Sequence, residues 1–321
     1  MPIKPLRMGC RIVSKIHGQE YNRVPGLEPG NCFRRESMAI FSNQATLTVN
    51  GNATNSNIAY GEILDVLAAT KTAVEGSYTP DGTVTYVVTL RNTGNVTLSG
   101  LSVTDDLGGY LFNGTTVYPL TYEAGTAALF VNGTPQAAPA VAEGPPMVIS
   151  GISIPAGGNA VLVYQAKVNA YADPTVGGTI TNTVTVTGDG LSTPVTAAET
   201  VSAALAPMLS ISKSLTPVQV VDNDRITYTF VIQNYGNQAV VATDNAVITD
   251  TFDPILSDLT VTFEGTPWTQ GVQYSYNQGT GLFATTAGQI LVPAANYTQD
   301  PVTGAYSGTP GIAVLTVTGT I

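Results

Sequence analysis

Two stretches that lie 142 residues apart decide the fold: Thr83-Val84-Thr85-Tyr86-Val87-Val88-Thr89-Leu90 and Arg225-Ile226-Thr227-Tyr228-Thr229-Phe230-Val231-Ile232. In both, large apolar or aromatic side chains occupy every second position. A period of two is the pattern of a strand with one buried face. Each stretch leads into a segment rich in Asn and Gly, 92–95 and 234–237, which favours a turn.

The similarity between these stretches extends over most of the chain. Lys71 aligns with Lys213 at the same offset, and Asp105 aligns with Asp250 after an insertion of three residues. Further on, Ala160-Val161-Leu162 matches Ala313-Val314-Leu315. The sequence therefore contains two copies of one unit.

Composition supports strands over helices. Of the 321 residues, 43% are hydrophobic and only 11% are charged, with 33 Gly and 20 Pro. Such a chain can build real cores, so general disorder is excluded, and its turn residues join many short strands. We predict an all-β chain of two tandem immunoglobulin-like β-sandwich domains.

Charge is distributed unevenly along the chain. Residues 1–37 carry seven basic and three acidic residues, and they hold Cys10, Cys32 and His17, the only Cys and His of the chain. The remainder has a net charge of −14 within a total of −10, which argues against nucleic acid as a partner. We interpret 1–37 as a basic leader that packs poorly or is not part of the native protein. No apolar run reaches about 18 residues, so no membrane span is predicted.

Four ordered motifs carry a resemblance to a known family. They are Thr-Val-Thr-Tyr from Thr83, Asn-Thr-Gly-Asn from Asn92, Val-Thr-Asp from Val103, and Ile-Thr-Asn-Thr-Val-Thr-Val-Thr from Ile180. Together they resemble the prokaryotic conserved surface repeat called domain of unknown function eleven, over most of 62–321. The resemblance implies β-sandwich building blocks of extracellular, cell-surface or spore-surface proteins of bacteria, clostridia included. It implies structure and adhesion more than chemistry.

The two copies differ in completeness. The first continues past Lys167 to a closing strand at 180–187, whereas Ile321 of the second aligns with Val168. We therefore predict a first sandwich over 62–204 and a second, over 205–321, that lacks its closing strand. An edge left open in this way exposes unpaired backbone groups.

An orphan strand precedes the first copy, within a segment of donor strand and linker at 38–61. Residues 42–49 resemble 181–188 at an offset of 139, with Ala45, Leu47 and Val49 predicted to face inward. The strand from Phe41 to Val49 could complete the second sandwich of the next molecule. Alternatively, it folds back on its own second copy or covers the first.

These features predict a structural subunit of an extracellular filament or spore appendage. The predicted partner is the protein itself, in a head-to-tail homopolymer, together with other spore or surface proteins. A monomeric adhesin or ligand-binding module is the alternative, with loops or Trp268 at its binding tip. The two hypotheses differ in whether polymers form as concentration rises.

Two lysines at matching positions suggest covalent links. Some pilin and adhesin sandwiches join a first-strand lysine to a last-strand asparagine, and a buried acid assists. Lys71, Asp105 and Asn182 could form that set within the first copy. Lys213 and Asp250 lack an asparagine unless the neighbour's Asn43 supplies it. The alternative is that the lysines are half-exposed strand residues, the asparagines bond at turns or edges, and the aspartates cap strand ends.

Little else in the sequence points to chemistry. After Met38 there is neither His nor Cys, which excludes Ser-His and Cys-His pairs and histidine-bound metals there. Adjacent acids such as Asp105 and Asp106 face opposite sides of a strand, and Asp222-Asn223-Asp224 is typical of a turn. We predict no enzyme activity, no cofactor and no metal.

Overall fold

The computed structural model describes residues 39–63 and 66–321, which are built from β-strands. The described residues contain no α-helix, only a single 3-10 turn at Ala242–Asp244, so no helix there could cross a bilayer. The stretch 1–37, with Cys10, His17 and Cys32, lies outside them. The chain divides into two units, Met1–Leu64 and Asp65–Ile321.

In the first unit, the described residues form one interrupted hairpin. Its strands are β1 (Ala39–Asn43), β2 (Thr46–Val49), β3 (Asn52–Asn55) and β4 (Ala59–Ile63). β1 pairs with β4 and β2 with β3, both antiparallel. Asn50 and Gly51 make the turn at positive φ, 50° and 83°, as a two-residue hairpin loop requires. The predicted donor strand from Phe41 to Val49 is thus two strands, separated by Gln44 and Ala45.

The second unit begins with a sandwich of two sheets, called here the first sandwich. Its strands are β5 (Leu67–Ala73), β6 (Ser77–Tyr78), β7 (Thr83–Asn92), β8 (Leu98–Asp105), β9 (Tyr110–Phe112), β10 (Thr115–Val117), β11 (Leu120–Tyr122), β12 (Ala128–Val131), β13 (Thr134–Pro135), β14 (Ala140–Ala142), β15 (Met147–Ile154), β16 (Asn159–Val168), β17 (Thr179–Thr187) and β18 (Val195–Ala203). One sheet has the order β13-β12-β16-β7-β5, with β11 also on β16, and the facing sheet has the order β14-β15-β8-β17-β18-β6. β9 and β10 form a separate hairpin.

The alternation read from the sequence produces the core of this sandwich. Along β7, Val84, Tyr86, Val88 and Leu90 are buried, while the residues between them are more exposed. Buried residues of β8, β15, β16 and β17 meet them from both sheets in one cluster. Full burial of such a side chain stabilises the fold by about 1.5–3 kcal/mol, so the alternation specifies which face turns inward.

The Asn-rich turn after β7 is fastened by a buried side chain. Asn92 Nδ2 donates hydrogen bonds to the carbonyl oxygens of Val96 and Ile154, at 2.8 and 3.1 Å, and Asn92 Oδ1 accepts one from the Gly94 amide. Asn234 makes the same kinds of bond in the second copy. Both predicted turns are therefore present, and each is held by an asparagine whose hydrogen-bonding groups are used.

A second sandwich follows with its own core. Its strands are β19 (Leu209–Thr216), β20 (Arg225–Asn234), β21 (Thr249–Thr251), β22 (Ser257–Phe263), β23 (Thr266–Trp268), β24 (Tyr274–Asn277), β25 (Leu282–Thr285), β26 (Asn296–Gln299), β27 (Tyr306–Thr309) and β28 (Gly311–Thr320). One sheet has the order β19-β20-β28-β22-β23, and the other has the order β21-β25-β24. A separate cluster of buried side chains lies between them, centred on Phe252, Phe283 and Leu315. β26 and β27 pair as a hairpin.

The main difference between the sandwiches lies in their smaller sheets. In the first, β8 pairs with β15 on one side and with β17 on the other, and β18 then pairs with β17. In the second, β21 stands in the place of β8 and is the edge of a three-stranded sheet. Among the described residues, the second sandwich has no counterpart of the β17–β18 hairpin, so the difference is two strands and not the single strand predicted.

Hydrogen bonds beyond the linker also join the two sandwiches. The Tyr306 amide donates to the Ala170 carbonyl at 2.7 Å, and Asn113 Nδ2 donates to the Pro301 carbonyl at 2.7 Å. The predicted all-β sandwich fold is confirmed, whereas the numerical domain boundaries stay a prediction.

Candidate functional site

The three residues predicted for the first copy come together in the core of the first sandwich. Lys71 Nζ lies 2.7 Å from Asp105 Oδ2, and Asn182 Nδ2 lies 3.4 Å from that same oxygen. The side chains of Lys71 and Asp105 are fully buried, and Asn182 is 0% exposed. A lysine and an amide therefore share one carboxylate oxygen, away from water.

Strand alternation explains how polar residues reach this position. On β5, the inward positions are Leu67, Ala69 and Lys71, so the lysine continues an apolar face. Asp105 is the last residue of β8, and Asn182 lies on the neighbouring strand β17. The site thus joins the first strand of one sheet to two adjacent strands of the other.

Two tyrosines enclose the site, and no motif in the sequence marked either of them as part of it. Lys71 Nζ lies 4.5 Å from the centre of the Tyr86 ring and 5.8 Å from that of Tyr164, and the two rings stack. The Tyr164 hydroxyl donates a short hydrogen bond to Asp105 Oδ2. Tyr164 aligns with Val317, so comparison of the repeats could not mark it, although its inward position on β16 could.

Burial controls the electrostatics of the site. It lowers the pKa of Lys71, against the opposing attraction of Asp105, and it raises the pKa of Tyr164 well above its usual value. A lowered pKa increases the fraction of neutral amine, which is the nucleophilic form. Asn182 Oδ1 is buried and accepts no hydrogen bond from the described residues. The site therefore brings together a lysine amine, a carboxyl group and an amide whose oxygen has no hydrogen-bond partner among the described residues.

Asp105 also acts as a cap, as the alternative hypothesis predicted. Its Oδ1 accepts a hydrogen bond from the Leu107 amide at 2.7 Å, while Oδ2 faces the lysine. The neighbouring Asp106 serves the backbone alone, because its Oδ1 accepts from the amides of Gly108 and Thr183. These two acids therefore point to different surroundings and do not form a catalytic pair.

The second sandwich contains two of the three groups in a more open setting. Lys213 and Asp250 form a short ion pair, with side chains 38% and 19% exposed. The lysine lies 4.3 Å from the centre of the Tyr228 ring and 5.3 Å from that of Phe252. In the described residues, no strand like β17, which carries Asn182, covers this pair. It is therefore partly exposed to solvent, whereas the Lys71–Asp105 pair of the first sandwich is buried.

The face of β19 that corresponds to the inward face of β5 is apolar and uncovered. Leu209 and Ile211 are 49% and 55% exposed, whereas Leu67, the counterpart of Leu209, is 6% exposed because β18 packs across β5. The same region holds the free edge of β21. We call Leu209, Ile211, Lys213 and the edge of β21 the open groove.

The predicted donor residues lie in the hairpin of the first unit. Leu47 and Val49 of β2 are 68% and 58% exposed, and Ala45, just before β2, is also exposed. Asn43 is the last residue of β1. Its approach to Lys213 and Asp250 of another molecule stays a prediction.

Other candidate residues have structural surroundings. Asp224 accepts a hydrogen bond from the Val221 amide within a turn where Asn223 has a φ of 70°. Trp268 is partly buried and stacks on Phe263, with ring centres 5.1 Å apart. In the described part of the chain, no group of three or more His, Cys, Asp or Glu could hold a metal ion.

Among known proteins, only solved structures are similar to this chain. No family model and no curated protein matches the chain, so the resemblance to domain of unknown function eleven stays a prediction. The major pilin SpaD of Corynebacterium diphtheriae is 12% identical with a TM-score of 0.34, over 75% of this chain and 58% of that one.

Two further pilins are similar to the same degree. The 35 kDa C-terminal fragment of the Streptococcus agalactiae major pilin GBS80 is 11% identical, over 77% of this chain and 91% of that one, with a TM-score of 0.33. The Streptococcus pneumoniae pilus backbone RrgB is 10% identical, over 76% and 55%, with a TM-score of 0.31. This chain thus spans a little over half of SpaD and of RrgB. At such values the likeness carries no argument, and the proposals below rest on this chain's own residues.

Proposed function

We propose that this protein is a structural subunit that polymerises head to tail. In the polymer, the hairpin 39–63 of one subunit fills the open groove in the second sandwich of the next. One observation carries the proposal: the β17–β18 hairpin covers the first sandwich where the second exposes Leu209, Ile211 and the edge of β21.

The proposed donor matches the hairpin that it replaces. The hairpin of the first unit runs over 25 residues, from 39 to 63, and β17–β18 runs over 25 residues, from 179 to 203. Each hairpin is followed after a few residues by a strand that carries one of the two aligned lysines: β5 with Lys71, or β19 with Lys213. The alignment of 42–49 with 181–188 supports the same substitution.

Strand addition supplies both affinity and register. The free edge of β21 offers backbone groups to an added strand, while alternate side chains select one register. Leu47 and Val49 share one face of β2, and each could contribute about 1.5–3 kcal/mol on full burial. Donor and acceptor are different surfaces of one chain, so the contact is heterologous and an open fibre is its natural product.

We assign the filament to the bacterial cell surface or spore surface. The support is the resemblance of the four motifs to a repeat of surface proteins, together with an acidic body that disfavours nucleic acid. The partners are other copies of the chain and, at the surface, further surface or spore proteins.

The test compares the full chain with a variant lacking 39–63, by negative-stain microscopy over a range of concentrations. Fibres are expected from the full chain and single particles from the variant. A synthetic peptide of 39–63 should occupy the groove and shorten the fibres in proportion to its concentration. Single particles from both proteins at every concentration would overturn the proposal and favour the monomeric adhesin. Fibres from both would show that the hairpin is not the donor.

A further inference from the structure

The geometry of the first sandwich points to a covalent bond that the protein forms by itself. We propose that Lys71 Nζ and Asn182 Cγ become joined in an amide bond, with Asp105 moving the proton. Nucleophile, amide and acid are already gathered around Asp105 Oδ2, at 2.7 Å from the lysine nitrogen and 3.4 Å from the amide nitrogen. No substrate or cofactor is required.

The reaction exchanges one amide for another. Neutral Lys71 Nζ attacks Asn182 Cγ, which forms the new C–N bond, and Asp105 takes a proton from the attacking nitrogen. The same carboxyl then delivers that proton to the departing amide nitrogen. The Cγ–Nδ2 bond breaks, one ammonia leaves, and Asp105 returns to its starting state. Nothing is oxidised or reduced.

The surroundings suit each step of this exchange. Burial lowers the pKa of Lys71 and so favours the amine that attacks. Asn182 Oδ1 has no hydrogen-bond partner among the described residues, so no hydrogen bond to that oxygen has to break as the nitrogen attacks Cγ. Tyr164 is a positioning residue, because its hydroxyl holds the carboxylate between the two reacting groups.

The bond would tie the two sheets of the sandwich together. Lys71 lies on β5 of one sheet and Asn182 on β17 of the other, so separation of the sheets would break a covalent bond as well as the core. A filament subunit that bears tension would gain from such a clamp.

Intact mass of the full chain tests the proposal directly. The expected mass is below the sequence mass by about 17 Da, the mass of one ammonia. Digestion should give a branched peptide joining the segments around Lys71 and Asn182. Asn182→Ala and Asp105→Asn should restore the full mass, and the control Lys213→Met should retain the deficit in its monomers. A wild-type chain at its full sequence mass, with separate peptides, would overturn the proposal whether or not the variants fold.

The second sandwich holds the same lysine and acid without the asparagine. If the proposed assembly is right, the incoming hairpin would bring an asparagine to Lys213 and Asp250, and the aligned residue is Asn43. The link would then form between subunits, so boiling fibres in detergent should leave a ladder of covalent oligomers. Lys213→Met should keep the fibres but lose the ladder. Fibres of wild-type chain that dissolve to monomers would refute this link alone, whereas the lack of any fibre would refute the assembly.

Discussion

At the scale of single residues, one carboxylate oxygen organises the candidate site. Asp105 Oδ2 faces a lysine, a tyrosine hydroxyl and an asparagine amide, all of them buried. Removal of one partner from a buried ion pair leaves the other charge without compensation, which costs about 3–5 kcal/mol. The matching pair of the second sandwich is partly exposed, and solvent screens it.

This contrast predicts unequal effects of the same substitution. In a chain already carrying Asn182→Ala, so that no amide bond can form, Asp105→Ala should lower the free energy of unfolding of the first sandwich by about 3–5 kcal/mol. In that background, Asp250→Ala should cost the second sandwich about 1 kcal/mol or less. Chemical denaturation followed by circular dichroism and tyrosine fluorescence measures both. Equal effects would mean that burial does not set the strength of these pairs.

The buried tyrosines predict the response to base. Burial raises the pKa of Tyr86 and of Tyr164, which also faces Asp105 and lies near Lys71. In the unfolded chain the pKa of a tyrosine is about 10, and in the fold it is higher. The contribution of these tyrosines to stability is therefore complete at pH values below about 10, and it falls as the pH rises from there through the folded pKa. Near-ultraviolet absorbance should show these phenols ionising only as the chain unfolds, and Tyr164→Phe should remove one of them. Ionisation of both before any loss of β-structure would contradict this.

At the scale of elements, the sequence predicted inward faces better than it predicted strand partners. Alternation along β7 correctly placed Tyr86 inside, because one apolar face must meet the core. The structure shows the same period along β5 and β17, where it puts Lys71 and Asn182 inside. It missed β18 as part of the closing element. The first six residues of that strand are at most half-buried, so no apolar run marks it.

The donor segment shows a second limit of sequence reasoning. The alignment of 42–49 with 181–188 predicted one strand, but pairing within the hairpin interrupts it at Gln44 and Ala45. The Asn50-Gly51 pair that makes the turn is a strong local signal for this hairpin. Tyr164 was missed for another reason, since its counterpart in the second copy is Val317.

Alternation also predicts which substitutions should block assembly. Leu47→Asp on the hairpin and Ile211→Asp on β19 place a charge on faces that become buried, so each should abolish fibres. Thr46→Asp and Ser212→Asp, on the opposite faces of the same strands, should leave fibre yield within a factor of about two, as exposed changes usually cost little. Sedimentation of polymer from matched samples measures the yield. Equal losses from both faces would show that strand faces do not specify the contact.

At the scale of the whole molecule, subunits of like charge must approach one another. Residues 38–321 carry a net charge of −14, so their mutual repulsion opposes assembly. The screening length falls from about 30 Å at about 0.01 M salt to about 8 Å at about 0.15 M. Growth followed by light scattering should therefore speed up several-fold over that range. A rate that falls with salt would indicate a contact governed by attraction between opposite charges.

The central claim is that a hairpin from one molecule completes the second sandwich of another. Its most direct test mixes two variants of the chain, neither of which can assemble alone. One lacks 39–63 and can only accept a hairpin, while the other carries Ile211→Asp and can only donate one. Light scattering coupled to size-exclusion chromatography should show each as a monomer and their mixture as a heterodimer that grows no further. A mixture that stays monomeric, or a variant that polymerises by itself, would contradict the account.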